Sequence, residues 1–91
     1  MFIVVSYDIV DNKRRNKVAN TLKNYGTRVQ YSVFECLLEL DYLNSLTDEL
    51  RRIIEKNEDT VRIYRLCRSC VERIKVYGKG GITEDKDVFI V

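Results

Sequence analysis

The spacing of apolar residues along the chain changes several times, and each change marks an element. Phe2 to Asp8 (FIVVSYD) is a short run rich in β-branched and aromatic residues, which predicts a strand. Val18, Ala19, Leu22 and Tyr25 then recur at helical spacing, with Asp11 placed to cap the helix start and Gly26 to stop its end. From Thr27 to Leu40 (TRVQYSVFECLLEL) the composition returns to strand type, long enough for a hairpin turning near Gln30 to Ser32. Asp41 opens a second helix. In it Leu43, Leu46, Leu50, Ile53 and Ile54 form one apolar stripe, opposite Asp48, Glu49, Arg51, Arg52, Glu55 and Lys56. Thr60 to Cys67 (TVRIYRLC) predicts a fourth strand.

The resulting order, β-α-β-β-α-β, predicts an α+β ferredoxin-like sandwich. We expect one domain over residues 1–91, with a core of about 1–67 and a C-terminal extension of about 68–91. Within the extension, Ile74 to Tyr77 (IKVY) and Val88 to Val91 (VFIV) read as short strands around the glycine turn GKGG. Four apolar residues at a chain end call for a docking place. Both faces of the first strand are also apolar, Phe2 and Val4 on one side and Ile3 and Val5 on the other. A sheet with helices on one face leaves the other to be covered. The expectation is a symmetric homodimer packed sheet against sheet, with the C-terminal strand adding to an edge of the partner.

Composition narrows the chemistry. The net charge of +2 over 91 residues does not by itself mark a nucleic-acid binder, so the placement of the charges has to carry any such reading. No apolar run approaches the roughly 20 residues of a membrane span, and no signal-peptide pattern opens the chain. A cytoplasmic protein with no membrane partner is expected, and three cysteines agree with a reducing compartment. With no histidine, catalysis would fall to carboxylates, hydroxyls and cations.

Asp8 ends the first strand on the face of Phe2, Val4 and Ser6. If that face forms the dimer, two copies of Asp8 meet, and a hard divalent ion such as Mg2+ would relieve their repulsion and activate water against a phosphodiester. The plainer alternative is an aspartate that ends its strand or pairs with Arg14 or Arg15. Lys13, Arg14, Arg15 and Lys17 crowd the start of the first helix, where the helix dipole favours anions. Arg14 and Arg15 continue the inward stripe while Lys13 and Lys17 point outward. A phosphate bound there would explain the pattern, as would a solvated face balanced by Asp11. Arg28 and the series Arg62, Arg65, Arg68 would extend a phosphate track. Cys67 and Cys70 (CRSC) have zinc-like spacing but lack four ligands, and read instead as small buried residues at a strand end. Tyr7, Tyr31, Phe34 and Tyr64 suit base stacking or, more commonly in such strands, packing.

The blocks YDIVDNKRRNKV (Tyr7 to Val18), YGTRVQYSVFE (Tyr25 to Glu35) and VRIYRLC (Val61 to Cys67) together resemble the CRISPR-associated endoribonuclease family (Cas-two) over nearly the whole chain. The resemblance implies a homodimer of ferredoxin-like subunits with crossing C-terminal strands and a metal-binding, catalytic aspartate matching Asp8, the metal being Mg2+. It also implies nucleic-acid-binding residues matching Arg14, Arg15, Arg28 and Phe34, and we add Tyr7 or Ser32 as supports for ion or substrate. The implied activity is a metal-dependent endonuclease on single-stranded RNA or double-stranded DNA. The implied setting is spacer acquisition, as the DNA-binding centre of a complex with the CRISPR integrase (Cas-one). Asn12 departs from the acidic residue common there and removes a second carboxylate. A DNA-binding scaffold that cuts nothing, or a related toxin-like ribonuclease, stays open, whereas nothing favours a ligand-binding regulatory domain.

Overall fold

A computed structural model describes residues 1–84. The elements are β1 (Phe2–Asp8), α1 (Asn12–Lys23), β2 (Gly26–Gln30), β3 (Val33–Leu37), α2 (Leu40–Ile53), β4 (Thr60–Leu66) and α3 (Arg68–Glu72). Four strands form one antiparallel sheet in the order β2-β3-β1-β4. With α1 and α2 following β1 and β3, this is the ferredoxin-like sandwich predicted from the pattern.

Alternation along β1 decides which side chains meet the helices. Ile3, Val5 and Tyr7 point into the core with Phe34 and Cys36 of β3, and Val18, Ala19 and Leu22 of α1 and Leu43, Leu46 and Leu50 of α2 close over them. Removing a Leu, Ile, Val or Phe side chain of this layer from water contributes roughly 1.5–3 kcal/mol each. The opposite sheet face carries Phe2, Val4, Val33, Leu37, Leu66 and Tyr64; Phe2 is buried there, and α1 and α2 pack on the other face.

The cap of α1 is as expected: the Asp11 side chain accepts a hydrogen bond from the Arg14 amide at 2.9 Å. Gly26 has a different task from the predicted helix stop. The helix ends at Asn24 in a right-handed conformation, and Gly26 begins β2. A Cβ there would run into the Glu35 carbonyl oxygen and lie 2.9 Å from Cys36 Cα, so the position is glycine because β3 passes too close for anything larger. The second helix begins one residue before Asp41, with Glu39 as its N-cap and no capping side-chain bond. Asp41 instead sits in the first turn, where its charge complements the dipole.

After β4 the chain departs from expectation. Cys67 caps the five-residue α3, which the apolar pattern does not announce, and Ile74–Tyr77 form no strand among the described residues. The predicted strand Val88–Val91 lies outside the described residues. Thr83 reaches back to the open sheet face, where its amide and hydroxyl donate to Glu35 Oε1 at 3.1 and 2.7 Å.

Candidate nucleic-acid interface

Asp8 stands exposed at the C-terminal end of β1, opposite Thr60 of β4, on the open face with Val4 and Ser6. Among the described residues nothing hydrogen-bonds or ion-pairs with its carboxylate. The pairing with Arg14 or Arg15 that would make it a structural residue is therefore absent within the described chain. Arg62, directly opposite Ser6, supplies an exposed cation on the same face.

Arg14 is engaged elsewhere. Its Nε donates to Asp59 Oδ2 at 2.8 Å, and Nη2 donates to Glu58 Oε2 at 2.8 Å and to Asp59 Oδ1 at 3.3 Å. The Asp59 side chain is fully buried and also accepts from the amides of Val10 at 3.0 Å and Glu55 at 2.8 Å. The Arg14 guanidinium, helped by these amides, holds the Asp59 carboxyl well below the usual carboxylate range, while Asp59 and Glu58 raise Arg14 above its own. One buried carboxylate thus ties the β1–α1 turn to the turn before β4. Arg15 folds over the first of these turns and donates to the carbonyls of Ile9 (Nε 3.2 Å, Nη2 2.9 Å) and Val10 (3.3 Å), and to Asn12 Oδ1. No carboxylate pairs with Arg15 among the described residues. The neutral amide at Asn12 therefore leaves its positive charge uncompensated.

On the helix-facing side of the same sheet end, the Arg28 guanidinium lies 5.3 Å from the centroid of the Phe34 ring, a cation–π stack, and reaches 3.5 Å from Tyr7 Oη. Tyr7 Oη in turn approaches the Tyr31 carbonyl at 3.4 Å, and the Tyr7 amide donates to the Ser32 carbonyl at 3.1 Å. Phe34 is fully buried and Tyr7 nearly so, so their rings serve as a floor for Arg28 and cannot themselves take a base; Tyr31 is 91 % exposed. Arg15, Asn16, Arg28, Gln30 and Tyr31 line an open cleft of about 620 Å³ between the hairpin and α1.

The fold has counterparts among known proteins. The family model described as CRISPR associated protein Cas2 matches residues 1–74. The chain belongs to the Cas2 family. A relative named CRISPR-associated endoribonuclease Cas2 3, from Chloroflexus aurantiacus, is 46 % identical over 91 residues, covering 100 % of this chain and 98 % of the relative. The crystal structure of Streptococcus pyogenes Cas2 at pH 6.5 superposes with a TM-score of 0.76 at 32 % identity, over 86 % of this chain and all of the other. A chain of a partial Cas6-RT-Cas1–Cas2 complex gives a TM-score of 0.73 at 28 % identity, over 82 % of this chain and 88 % of its own.

Within this Cas2 family chain the sequence-predicted residues gather at one end of the sheet but on two faces. Asp8 looks out from the open face, while Tyr7, Arg28 and Phe34 form a stack on the other and Ser32 lies in the hairpin turn between them. The series Arg62, Arg65, Arg68 does not form one track: Arg62 is on the open face, Arg65 donates to Met1 Sδ at 3.0 Å, and Arg68 sits in α3 at 3.9 Å from Glu72. Sequence reasoning missed Asp59. Its signal was a carboxylate just before β4, meaningful only once β4 is known to lie antiparallel beside β1. Among the described residues no three metal-ligating side chains converge. A divalent ion nonetheless suits the Asp8 carboxylate, a hard oxygen donor that is exposed and has no hydrogen-bond or ion-pair partner among the described residues. No helix of the described residues is long and apolar enough to cross a membrane.

Proposed function

We propose that this chain acts in CRISPR spacer acquisition as a homodimeric, divalent-cation-dependent endonuclease that binds nucleic acid beside a Cas1-type integrase. The observation that carries the reading is the exposed Asp8 carboxylate, without a partner among the described residues, at the end of the sheet face opposite α1 and α2. A two-fold axis through that face would bring two Asp8 carboxylates together, and they would hold Mg2+, which when bound would supply charge neutralisation and Lewis-acid activation for phosphodiester hydrolysis. The chain's own residues do the rest. Arg28, held flat by Phe34 and Tyr7, and Arg15, anchored on the Ile9 and Val10 carbonyls, present positive charge to phosphates, while Ser32 fixes the Tyr7 backbone. Arg14, its charge met by Asp59 and Glu58, sets the shape of the turn that carries Arg15. The names of relatives support the nuclease, and the complex containing Cas1 and Cas2 chains supports the integrase partner.

The test is cleavage of labelled single-stranded RNA and double-stranded DNA by the purified protein, with and without Mg2+, beside Asp8→Asn verified to keep the wild-type oligomeric state. Mg2+-dependent cleavage lost in the variant is the expected outcome. A second reading, a DNA-binding scaffold without cleavage, is favoured by the separation of the Arg15–Arg28 cleft from Asp8 on opposite sheet faces. Retained DNA binding with no cleavage by either protein would select it.

A further inference from the structure

Neither reading uses the thiols that follow β4. Cys67 and Cys70 are both exposed, contrary to the buried role read from the sequence, and their Sγ atoms lie 3.5 Å apart. Ser69 Oγ stands 3.2 Å from Cys67 Sγ. A third ligand is lacking among the described residues, so the pair does not make a metal site there. Two free thiols at this separation need to close by only about 1.5 Å to reach the roughly 2.05 Å of a disulfide bond. Both side chains are open to solvent, so they have room to rotate and a reagent has room to approach. Cys36 provides the contrast: it is fully buried, and burial with the neighbouring Glu35 pushes its thiol up to about 11.

We propose that Cys67 and Cys70 form a thiol–disulfide exchange site that low-molecular-weight disulfides oxidise to an intramolecular disulfide, fastening the junction between β4 and α3. Cys67 is the attacking thiol. Hydrogen bonds from the Ser69 hydroxyl and the Cys70 amide and thiol bring it down to about 7, whereas Cys70 is raised by the charge and hydrogen bond of its neighbour and keeps its proton until the second step. The Cys67 thiolate attacks one sulfur of R–S–S–R, forming a mixed disulfide and expelling one thiolate, which leaves as R–SH. Cys70 then gives up its proton and attacks Cys67 Sγ, forming the Cys67–Cys70 bond and expelling the second R–SH. The two cysteines lose two electrons and two protons, and the reagent gains them as two thiols. The bridge fixes the first turn of α3, and so the direction in which the chain beyond residue 67 leaves the sheet.

The experiment exposes the full-length protein to glutathione buffers from fully reduced to mostly disulfide, quenches in acid, alkylates under denaturing conditions and maps the thiols by mass spectrometry. Oxidation should remove two of the three alkylatable thiols per chain, mapped to a Cys67–Cys70 bridge within one chain, with Cys36 still free. Cys70→Ser should stop at a stable glutathione adduct on Cys67, and Cys67→Ser should form its adduct at Cys70 at least tenfold more slowly than Cys70→Ser forms one at Cys67. Three alkylatable thiols at the most oxidising ratio, independent adducts on both cysteines, or a bridge between two chains would each overturn the assignment.

Discussion

Asp59 accepts hydrogen bonds from two backbone amides and an arginine while its side chain is wholly buried, so its charge is built into the turn it closes. Its folded-state value lies below the ordinary 3.8, so the folded protein binds fewer protons here than the unfolded chain in acid. That stability is fully present above the unfolded value and drains away as pH falls below it toward the depressed folded one. Asp59→Asn keeps the volume but points an amide N–H2 at groups that themselves donate. We expect a melting temperature several degrees lower at pH 7, with the gap to wild type narrowing below about pH 4, as thermal denaturation across pH would read. Arg28 separates from Arg14 at the same scale. Arg28→Ala should flatten the slope of log affinity for DNA against log salt by about 1 and leave the melting temperature nearly unchanged. Arg14→Ala should do the reverse, lowering thermal stability with little change in the slope, because its guanidinium already serves Asp59 and Glu58. Salt titrations of binding for the two variants check both halves.

Elements are placed by packing more than by local signals, and β2 makes the point. The residue Gly26 reads in sequence as a helix stop, yet the space beside it is filled by the β3 backbone at Glu35 and Cys36. Gly26→Ala should force the two strands apart and cost about 1–3 kcal/mol, the usual penalty of overpacking; urea denaturation measures it. In α2, Leu46→Ala empties a fully buried position and should cost about 2–5 kcal/mol. The β-α-β-β-α-β order, the hairpin turn and both helical stripes were legible because each depends on periodicity within a few residues. Three things were not. The start of α2 at Leu40 carries no capping side chain to mark it. The short α3 is too brief for a periodic stripe and buries no residue. The union of Arg14 with Asp59 spans 45 residues, a contact that exists only after β1 and β4 have paired. The placement of Asp8 on the open face was legible because alternation in a strand is strict, whereas its freedom from Arg14 depended on that distant carboxylate.

At the scale of the whole molecule, one side of the sheet is sealed by α1 and α2, and the other carries half-buried Val4, Val33 and Leu66 and exposed Tyr64 around a line that ends in Asp8. The proposed homodimer through this face would gain apolar contact along its length at a cost at one end, where two carboxylates would approach in a setting of falling dielectric. Association and divalent-ion binding are then linked: an ion that binds between the two copies of Asp8 and not to the separate chains must tighten the dimer, by an amount set by its concentration over its dissociation constant. In wild type, we expect Mg2+ to lower the dimer dissociation constant, by about tenfold for each 1.4 kcal/mol of linkage. Asp8→Asn removes the charge from both sides of the axis. The variant should dimerise at least as well as wild type in chelator and should no longer respond to Mg2+. Sedimentation equilibrium of the two proteins, each with Mg2+ and with chelator, measures all four constants. A dimer whose wild-type constant is the same in Mg2+ and chelator would separate Asp8 from the interface. An Asp8→Asn chain that stays monomeric would instead make the carboxylate part of the structure that holds the copies together.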